Sequence, residues 1–237
     1  MMVGKQRSVA MDAPNYFLGW EAICNYCRKA VEIDREVGRE SDFIENQREL
    51  YFVTLFVTAS RVSEALLLKP SQVSVSKSGL GIRVDRMEVL KHRIKGHRKR
   101  VTRIIYINRE VDRLADRFLE LCQDCKTEYL LTRREQFTGK PLLKGHTTRV
   151  NVYNKILEID EKLWPHVLRD QKCYQLSAKK EDGGQEYDIY DLRAFIGWAR
   201  IDQATTYIGR RKEVDAARAA GLPEGDVPEG GDEHRHL

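Results

Sequence analysis

The chain has 237 residues, of which 41% are hydrophobic and 32% charged, and its 41 lysines and arginines exceed its 36 acids, giving a net charge of +5. This composition is typical of a globular protein with a hydrophobic core. The sequence contains no run of eighteen apolar residues and no N-terminal apolar segment with a cleavage site, which argues against a membrane or secreted protein. Five cysteines, an odd number, favour a reducing cytoplasm.

The positive charge is concentrated in one segment. Residues 219–237 hold five acids and one base, so the rest of the chain carries +9. Residues 91–103 hold seven bases and no acid, and the polyphosphate backbone of a nucleic acid is the commonest partner for such a segment. A solvated basic loop or a segment like a nuclear-localisation signal is the alternative. Besides Lys95, the candidate DNA-binding residues are Lys91, Arg93, Arg98, Lys99, Arg100 and Arg103.

The first part of the chain is predicted to be helical. Residues 1–15 are polar and contain Pro14, which indicates a flexible arm. After this arm, apolar residues recur at spacings of three and four, as on one face of a helix. The predicted helices span 16–37, 41–57 and 61–68, with Ser60 as N-cap of the third.

The period of the apolar residues then changes to two, which indicates strands. The predicted strands are 72–76, 81–90 and 100–107, with turns at 77–79 and around Gly96. We expect a small three-stranded antiparallel sheet, with the basic segment on its last hairpin.

The second half is predicted to be helical again, after a loop that contains Gly139-Lys140-Pro141. The segregation of helices and strands predicts an α+β fold, mainly α, and the lack of βαβ alternation argues against a doubly wound nucleotide-binding fold. A Gly- and Pro-containing acidic tail is predicted to be disordered. The predicted helices are 110–125, 149–163, 165–176, 190–198 and 203–220.

Residues suited to phosphate chemistry occur in a defined order. The segment 58–64 reads Thr-Ala-Ser-Arg-Val-Ser-Glu, 95–100 has the form Lys-Gly-x-x-x-Arg, and 166–169 has the form His-x-x-Arg. A Gly-Trp pair follows at 197–198, and a tyrosine lies nine residues beyond this tryptophan. The ordered set is Arg61, Lys95, His166, Arg169, Trp198 and Tyr207. It resembles the catalytic signature of the tyrosine recombinases, the phage-integrase family.

The resemblance covers about residues 42–212, which would form the family's catalytic domain. Residues 1–41 would form an arm and one helix, in place of the larger helical core-binding domain that usually precedes it. Residues 213–237 would form a C-terminal segment and the acidic tail.

The resemblance implies a site-specific recombinase or integrase that breaks and rejoins DNA through a covalent 3′-phosphotyrosyl intermediate, for integration or excision of a mobile element, including viral genome integration. It implies no metal and no ATP or other cofactor. The partners would be double-stranded DNA and further copies of the chain in a tetramer, with a C-terminal segment lent to a neighbour. The short N-terminal region leaves three explanations open: a short single-domain recombinase, a truncated element-encoded copy, or reliance on an accessory DNA-binding partner.

The side-chain chemistry agrees with these roles. Arg61 and Arg169 would bind the phosphate with planar guanidiniums that stay charged. His166 would hydrogen-bond the same phosphate and accept the proton of the nucleophile Tyr207, whose free pKa is about 10.

The remaining residues of the set have supporting roles. Lys95 would protonate the leaving 5′ oxygen, with Lys91 as the rival because the hairpin tip is uncertain by a few residues. Trp198 would donate its indole N–H toward the phosphate, and Glu64 would orient Arg61 or His166.

Three alternatives remain open at this point. A type IB topoisomerase would use much the same residues to relax supercoils, and a DNA-binding regulator would keep the fold without the chemistry. Two Cys-x-x-Cys pairs, at 24–27 and 122–125, would suit a structural zinc ion if their helices meet. Both pairs lie in helix-periodic segments, where cysteine serves as a small apolar residue.

Overall fold

The computed structural model describes most of the predicted catalytic region. The described residues are 16–40, 46–89, 93–94, 97–98, 101–135, 140–198 and 200–219. The predicted arm and acidic tail lie outside them, as do Lys91, Lys95, Lys99 and Arg100.

The fold is mainly helical with a small antiparallel sheet, as predicted. Two short 3-10 turns, Pro70–Gln72 and Lys180–Asp182, interrupt the connections. The helices are α1 Trp20–Glu40, α2 Gln47–Thr58, α3 Val62–Ala65, α4 Ala115–Asp124, α5 Arg149–Ile159, α6 Pro165–Ser177, α7 Ile189–Ile196 and α8 Asp202–Ala219.

The predicted three-stranded sheet is present, in the order β1-β2-β5 with both pairs antiparallel. A bulge between Val84 and Met87 shifts the register of β2 against β5. A separate short ladder, β3 with β4, lies between these strands in sequence and pairs Arg93 with Arg98. The strands are β1 Val73–Val75, β2 Gly81–Val89, β3 Arg93–Ile94, β4 His97–Arg98 and β5 Val101–Asn108.

One face of the sheet packs on the helices. Along β5, Arg103, Ile105 and Ile107 are buried, whereas the alternate residues Ile104 and Tyr106 are exposed. This is the period of two expected for a strand with one covered face.

Helix α2 forms the centre of the core, and every one of its residues is buried. It packs against α1, α4, α5 and α6. The ring of Trp20 in α1 contacts that of Phe56 in α2 edge to face, with ring centroids 5.9 Å apart. Helix α1 therefore belongs to the same hydrophobic core as the later helices. No helix in the described ranges is long and apolar enough to cross a membrane.

The predicted loop around Gly139 is wrong in part, because its flanks form a hairpin of β6 Thr132–Arg134 and β7 Pro141–His146. The residues of β7 are all exposed, so they show no apolar alternation that would predict a strand. The hydroxyl of Thr132 donates to the Leu142 carbonyl at 2.6 Å and helps to hold the hairpin.

Several helix boundaries also differ from the prediction. The third helix spans only Val62–Ala65 rather than 61–68, and its N-cap is Arg61 rather than Ser60. Helix α4 begins at Ala115 rather than Glu110, because the Asp112 carboxylate accepts the Leu114 amide at 3.0 Å in a turn before it. Helix α5 ends at Ile159 rather than Leu163, where Asp160 is extended and accepts the Lys162 amide.

Candidate active site

The turn between α2 and α3 places the first arginine of the predicted set. Ala59 ends α2 in the left-handed conformation, with φ of 46°. The Thr58 hydroxyl lies 2.6 Å from the Thr54 carbonyl and 2.8 Å from the Ser60 hydroxyl, which ties the turn to the helix. Arg61 is therefore held at the start of α3.

Glu64 fixes Arg61 in two ways. Its carboxylate accepts the Arg61 backbone amide at 3.0 Å and Nη1 of the Arg61 guanidinium at 3.0 Å. The spacing of three residues in a helical turn makes both contacts possible. The Glu64 side chain is fully buried, whereas that of Arg61 is 18% exposed and remains accessible.

Arg169 reaches the same carboxylate from α6. Its Nη1 donates to the Ala59 carbonyl at 2.7 Å and lies 3.6 Å from Oε2 of Glu64. The structure thus brings Arg61 and Arg169, 108 positions apart in the sequence, to opposite oxygens of one buried carboxylate. Burial lowers the pKa of Arg169.

The second terminal nitrogen of Arg169, Nη2, is buried and has no hydrogen-bond partner among the described residues. A buried donor without an acceptor costs about 1–3 kcal/mol. An anion that enters beside Arg61 would supply the acceptor, and a phosphate oxygen is suited to a guanidinium. The arginine pair is therefore suited in its geometry and its charge to bind an anion.

His166 lies in the first turn of α6, three residues before Arg169, and its side chain is exposed. Pro165 begins the helix, a position where a proline costs no hydrogen bond. The predicted same-side placement of His166 and Arg169 follows from the helical spacing.

Trp198 and Tyr207 form a stack beside Arg169. The two rings have centroids 5.5 Å apart and planes at 16°, and Cζ of Arg169 lies 5.8 Å from the Trp198 ring centroid. Helix α8, which carries Tyr207, packs against both α6 and α7. The structure therefore brings together Arg61, Glu64, Arg169, Trp198 and Tyr207.

Gly197 determines how the chain enters this stack. It ends α7 with φ of 74°, a conformation that favours glycine. A Cβ at this position would lie 2.9 Å from both Cδ of Arg103 and Cγ2 of Val89. Glycine is thus required both by the backbone and by the close approach of the sheet.

The Tyr207 hydroxyl is engaged within the protein. It donates to Oδ1 of Asp170 at 2.7 Å, and its ring also meets that of Tyr174 edge-on at 4.9 Å. Burial raises the pKa of Tyr207 well above its ordinary value, and Cys173 and Asp170 raise it further. The protein environment around Tyr207 therefore favours the protonated phenol over the phenolate. Asp170 was not among the predicted site residues, and no motif in the sequence marks it.

Arg103 does not fit its predicted role in DNA binding. Its side chain is 7% exposed, and its guanidinium donates to the Thr58 carbonyl at 3.2 Å and to the Phe195 carbonyl. Burial lowers its pKa to about 10. Arg103 instead connects β5 to the C-terminal ends of α2 and α7, next to the turns that carry Arg61 and Trp198. Its alternation with Ile105 was the sequence signal for burial.

The structure describes only the backbone of two of the other predicted DNA-binding residues. Arg93 and Arg98 are paired across the short β3–β4 ladder. Lys91, Lys95, Lys99 and Arg100 lie outside the described residues, so the lysine general acid stays a prediction.

The described residues contain no group of three or more His, Cys, Asp or Glu arranged to hold a metal ion. All five cysteines are free. Burial raises the pKa of Cys27 to about 12 and also raises that of Cys122. Cys27 and Cys122 are buried, whereas Cys24 and Cys125 are half-buried, and the four thiols are not grouped as the zinc site considered from the sequence requires.

Comparisons with known proteins give structural matches only. No family model and no curated protein matches the sequence. Among solved structures, the XerH site-specific recombinase bound to palindromic difH substrate matches with a TM-score of 0.53 and 16% identity over 87% of this chain and 53% of that one. The XerA recombinase matches with a TM-score of 0.50 and 18% identity, over 83% of this chain and 59% of its own.

The Tn1549 transposon integrase in complex with circular intermediate DNA also matches, with a TM-score of 0.50 and 15% identity over 88% of this chain and 66% of that one. The chain thus spans about half to two thirds of the length of these proteins. They agree in fold with the resemblance found in the sequence. This chain has the catalytic-domain fold of the tyrosine recombinases.

Proposed function

We propose that this protein is a site-specific DNA recombinase or integrase that breaks and rejoins DNA through Tyr207. The observation that carries the proposal is the convergence of Arg61 and Arg169 on Glu64, with an unpartnered guanidinium nitrogen, beside the stacked rings of Trp198 and Tyr207. This arrangement supports the proposal of a phosphodiester site with Tyr207 as the nucleophile beside it.

The first step is binding of the scissile phosphate by the two arginines. Nη2 of Arg169 would gain its missing acceptor, and the partly exposed Arg61 would meet a second non-bridging oxygen. Both cations stabilise the negative charge that develops in a pentavalent transition state. Because Glu64 already orients the arginines, little reorganisation is needed when the DNA arrives.

The second step is strand cleavage. The Tyr207 oxygen bonds to phosphorus, the bond from phosphorus to the 5′ oxygen breaks, and the 3′ phosphate stays on the tyrosine. The phenolic proton goes to His166 or to water, and the leaving 5′ oxygen takes a proton from Lys95 or Lys91. Attack by a 5′ hydroxyl in the reverse direction rejoins the strand, so no ATP is consumed.

We also propose double-stranded DNA as the partner, contacted by the basic segment without Arg103. Strand exchange needs more than one active site, so the working form would be a multimer, a tetramer, on DNA. Integration or excision of a mobile element is the biological outcome proposed, with residues 42–212 as the catalytic domain.

A nicked suicide duplex tests the chemistry, with the DNA that flanks the gene as candidate substrate. We expect a covalent adduct that survives denaturation and is lost in Tyr207→Phe. Tyr190→Phe is the matched control, because Tyr190 is 65% exposed and lies outside the cluster.

Two results would change the proposal. An adduct that persists in Tyr207→Phe, or no adduct on any substrate despite DNA binding, would leave a non-catalytic DNA-binding protein. An adduct followed only by relaxation of supercoiled DNA, without exchange between duplexes, would indicate a topoisomerase.

A further inference from the structure

The side chain of Asp170 makes a contact that the proposed reaction does not use. Asp170 follows Arg169 on α6, and its Oδ1 accepts the hydroxyl proton of Tyr207 at 2.7 Å. The phenol ring is held between Trp198, which stacks on it, and Tyr174, which meets it edge-on. The tyrosine is thus restrained at its hydroxyl and at its ring.

This hydrogen bond favours the unreactive form of the nucleophile. A phenol can donate to a carboxylate, whereas a phenolate beside the same carboxylate places two negative charges at hydrogen-bond distance. Among the described residues, the titratable groups that act most strongly on Tyr207 include Cys173, Asp170 and Tyr174 of α6, and Arg169 of the same helix interacts with it. Trp198, on the α7–α8 connection, carries no charge.

We propose that Asp170 is a positioning residue that holds Tyr207 protonated and unreactive until DNA occupies the arginine pair. The proposal rests on Tyr207 being the nucleophile of the proposed function. To attack phosphorus, the Tyr207 oxygen has to give up its hydrogen bond to Asp170 and approach a phosphate bound by Arg61 and Arg169.

The position of Asp170 suits such coupling. It is adjacent in sequence to Arg169, whose guanidinium lies over the ring on which Tyr207 stacks. A shift of α6 or of the Trp198 ring on phosphate binding would therefore change the hydrogen bond between Asp170 and Tyr207 or the stacking of Trp198 on Tyr207. Such a device would keep a free recombinase from cutting DNA before the complex is assembled.

The first experiment needs no DNA. The protein is labelled with [13Cζ]tyrosine, the Tyr207 signal is assigned with Tyr207→Phe, and its ionisation is followed by NMR in the full chain. In Asp170→Asn we expect the pKa of Tyr207 to fall. Each unit by which this pKa falls gives about tenfold more phenolate at a given pH below the pKa. Asp124→Asn, an exposed aspartate on α4, is the control for loss of one negative charge. Asp170→Ser serves if Asp170→Asn does not fold.

The second experiment measures single-turnover cleavage of the suicide duplex across pH 6–9. We expect Asp170→Asn to cleave faster than wild type by about threefold to tenfold at neutral pH. The increase of its cleavage rate with pH should begin at a lower pH than in wild type. An unchanged Tyr207 pKa would overturn the proposal. So would cleavage tenfold slower with a lowered pKa, which would make Asp170 the proton acceptor. If wild type forms no adduct, the proposed function fails, and the NMR titration still decides whether Asp170 controls the ionisation of Tyr207.

Discussion

The carboxylate of Glu64 lies between two guanidiniums, and Glu64→Gln tests whether it holds the arginine pair together. The substitution keeps the size and one acceptor oxygen but removes the negative charge. Arg61 would lose a charged partner at 3.0 Å, and the buried Arg169 would lose one at 3.6 Å. An NH2 group would also face donors where an oxygen accepts now.

The expected cost follows from the burial of the pair. Removing one partner of a buried ionic group costs about 3–5 kcal/mol, because the remaining charge stays uncompensated. This is a large share of a typical stability of about 5–15 kcal/mol. For a chain of this size, each kcal/mol corresponds to about 2–4 °C, so the melting midpoint should fall by roughly 6–20 °C.

Urea denaturation followed by circular dichroism measures the loss of stability, and thermal denaturation followed in the same way measures the change in melting midpoint. Glu128→Gln is the control, because Glu128 forms an exposed pair with Lys69, and its midpoint should stay unchanged within error. The variant should also lose adduct formation on the suicide duplex under conditions where it is folded. If Glu64→Gln is as stable as wild type, the carboxylate does not hold the two arginines and the site described here is incorrect.

Four further predictions concern other residues. Arg103→Met should lower stability by about 2–4 kcal/mol through two carbonyls left without donors, yet leave the salt dependence of DNA binding unchanged. Arg100→Ala should reduce the slope of the logarithm of the DNA-binding constant against the logarithm of the salt concentration by about 1. Gly197→Ala should cost more than Gly79→Ala, about 2–4 against about 1 kcal/mol, since both have positive φ but only Gly197 lacks room for a Cβ. Finally, because the pKa of Tyr207 is raised on folding, its contribution to stability should be present below about pH 10 and be lost as the pH rises toward the folded pKa, a loss absent from Tyr207→Phe.

Specific results would contradict the predictions for Arg103, Gly197 and Tyr207. A smaller salt slope in Arg103→Met would return that residue to the DNA-binding surface. Equal destabilisation in the two glycine variants would mean that the sheet yields to a Cβ at Gly197. Identical alkaline stability curves for wild type and Tyr207→Phe would show that the phenol is not held protonated by folding.

Much of the fold could be read from the sequence because it depends on local periodicity. The change from a spacing of three and four to a spacing of two marks the sheet between two helical regions, and the structure confirms it. The β6–β7 hairpin was missed because its exposed second strand carries no alternation. Helix ends were misjudged where a side chain such as Asp112 captures a backbone amide.

The sequence by itself determined the identity and order of the residues suited to phosphate chemistry, and the local pairing of Arg61 with Glu64, since a helix brings residues three apart together. Only the tertiary structure decided that Arg169 shares this carboxylate, that Arg103 faces the core, and that Asp170 holds the Tyr207 hydroxyl. These contacts join residues 37 or more positions apart. No sequence period specifies such distances, because they result from how α6, α8 and the sheet pack around α2.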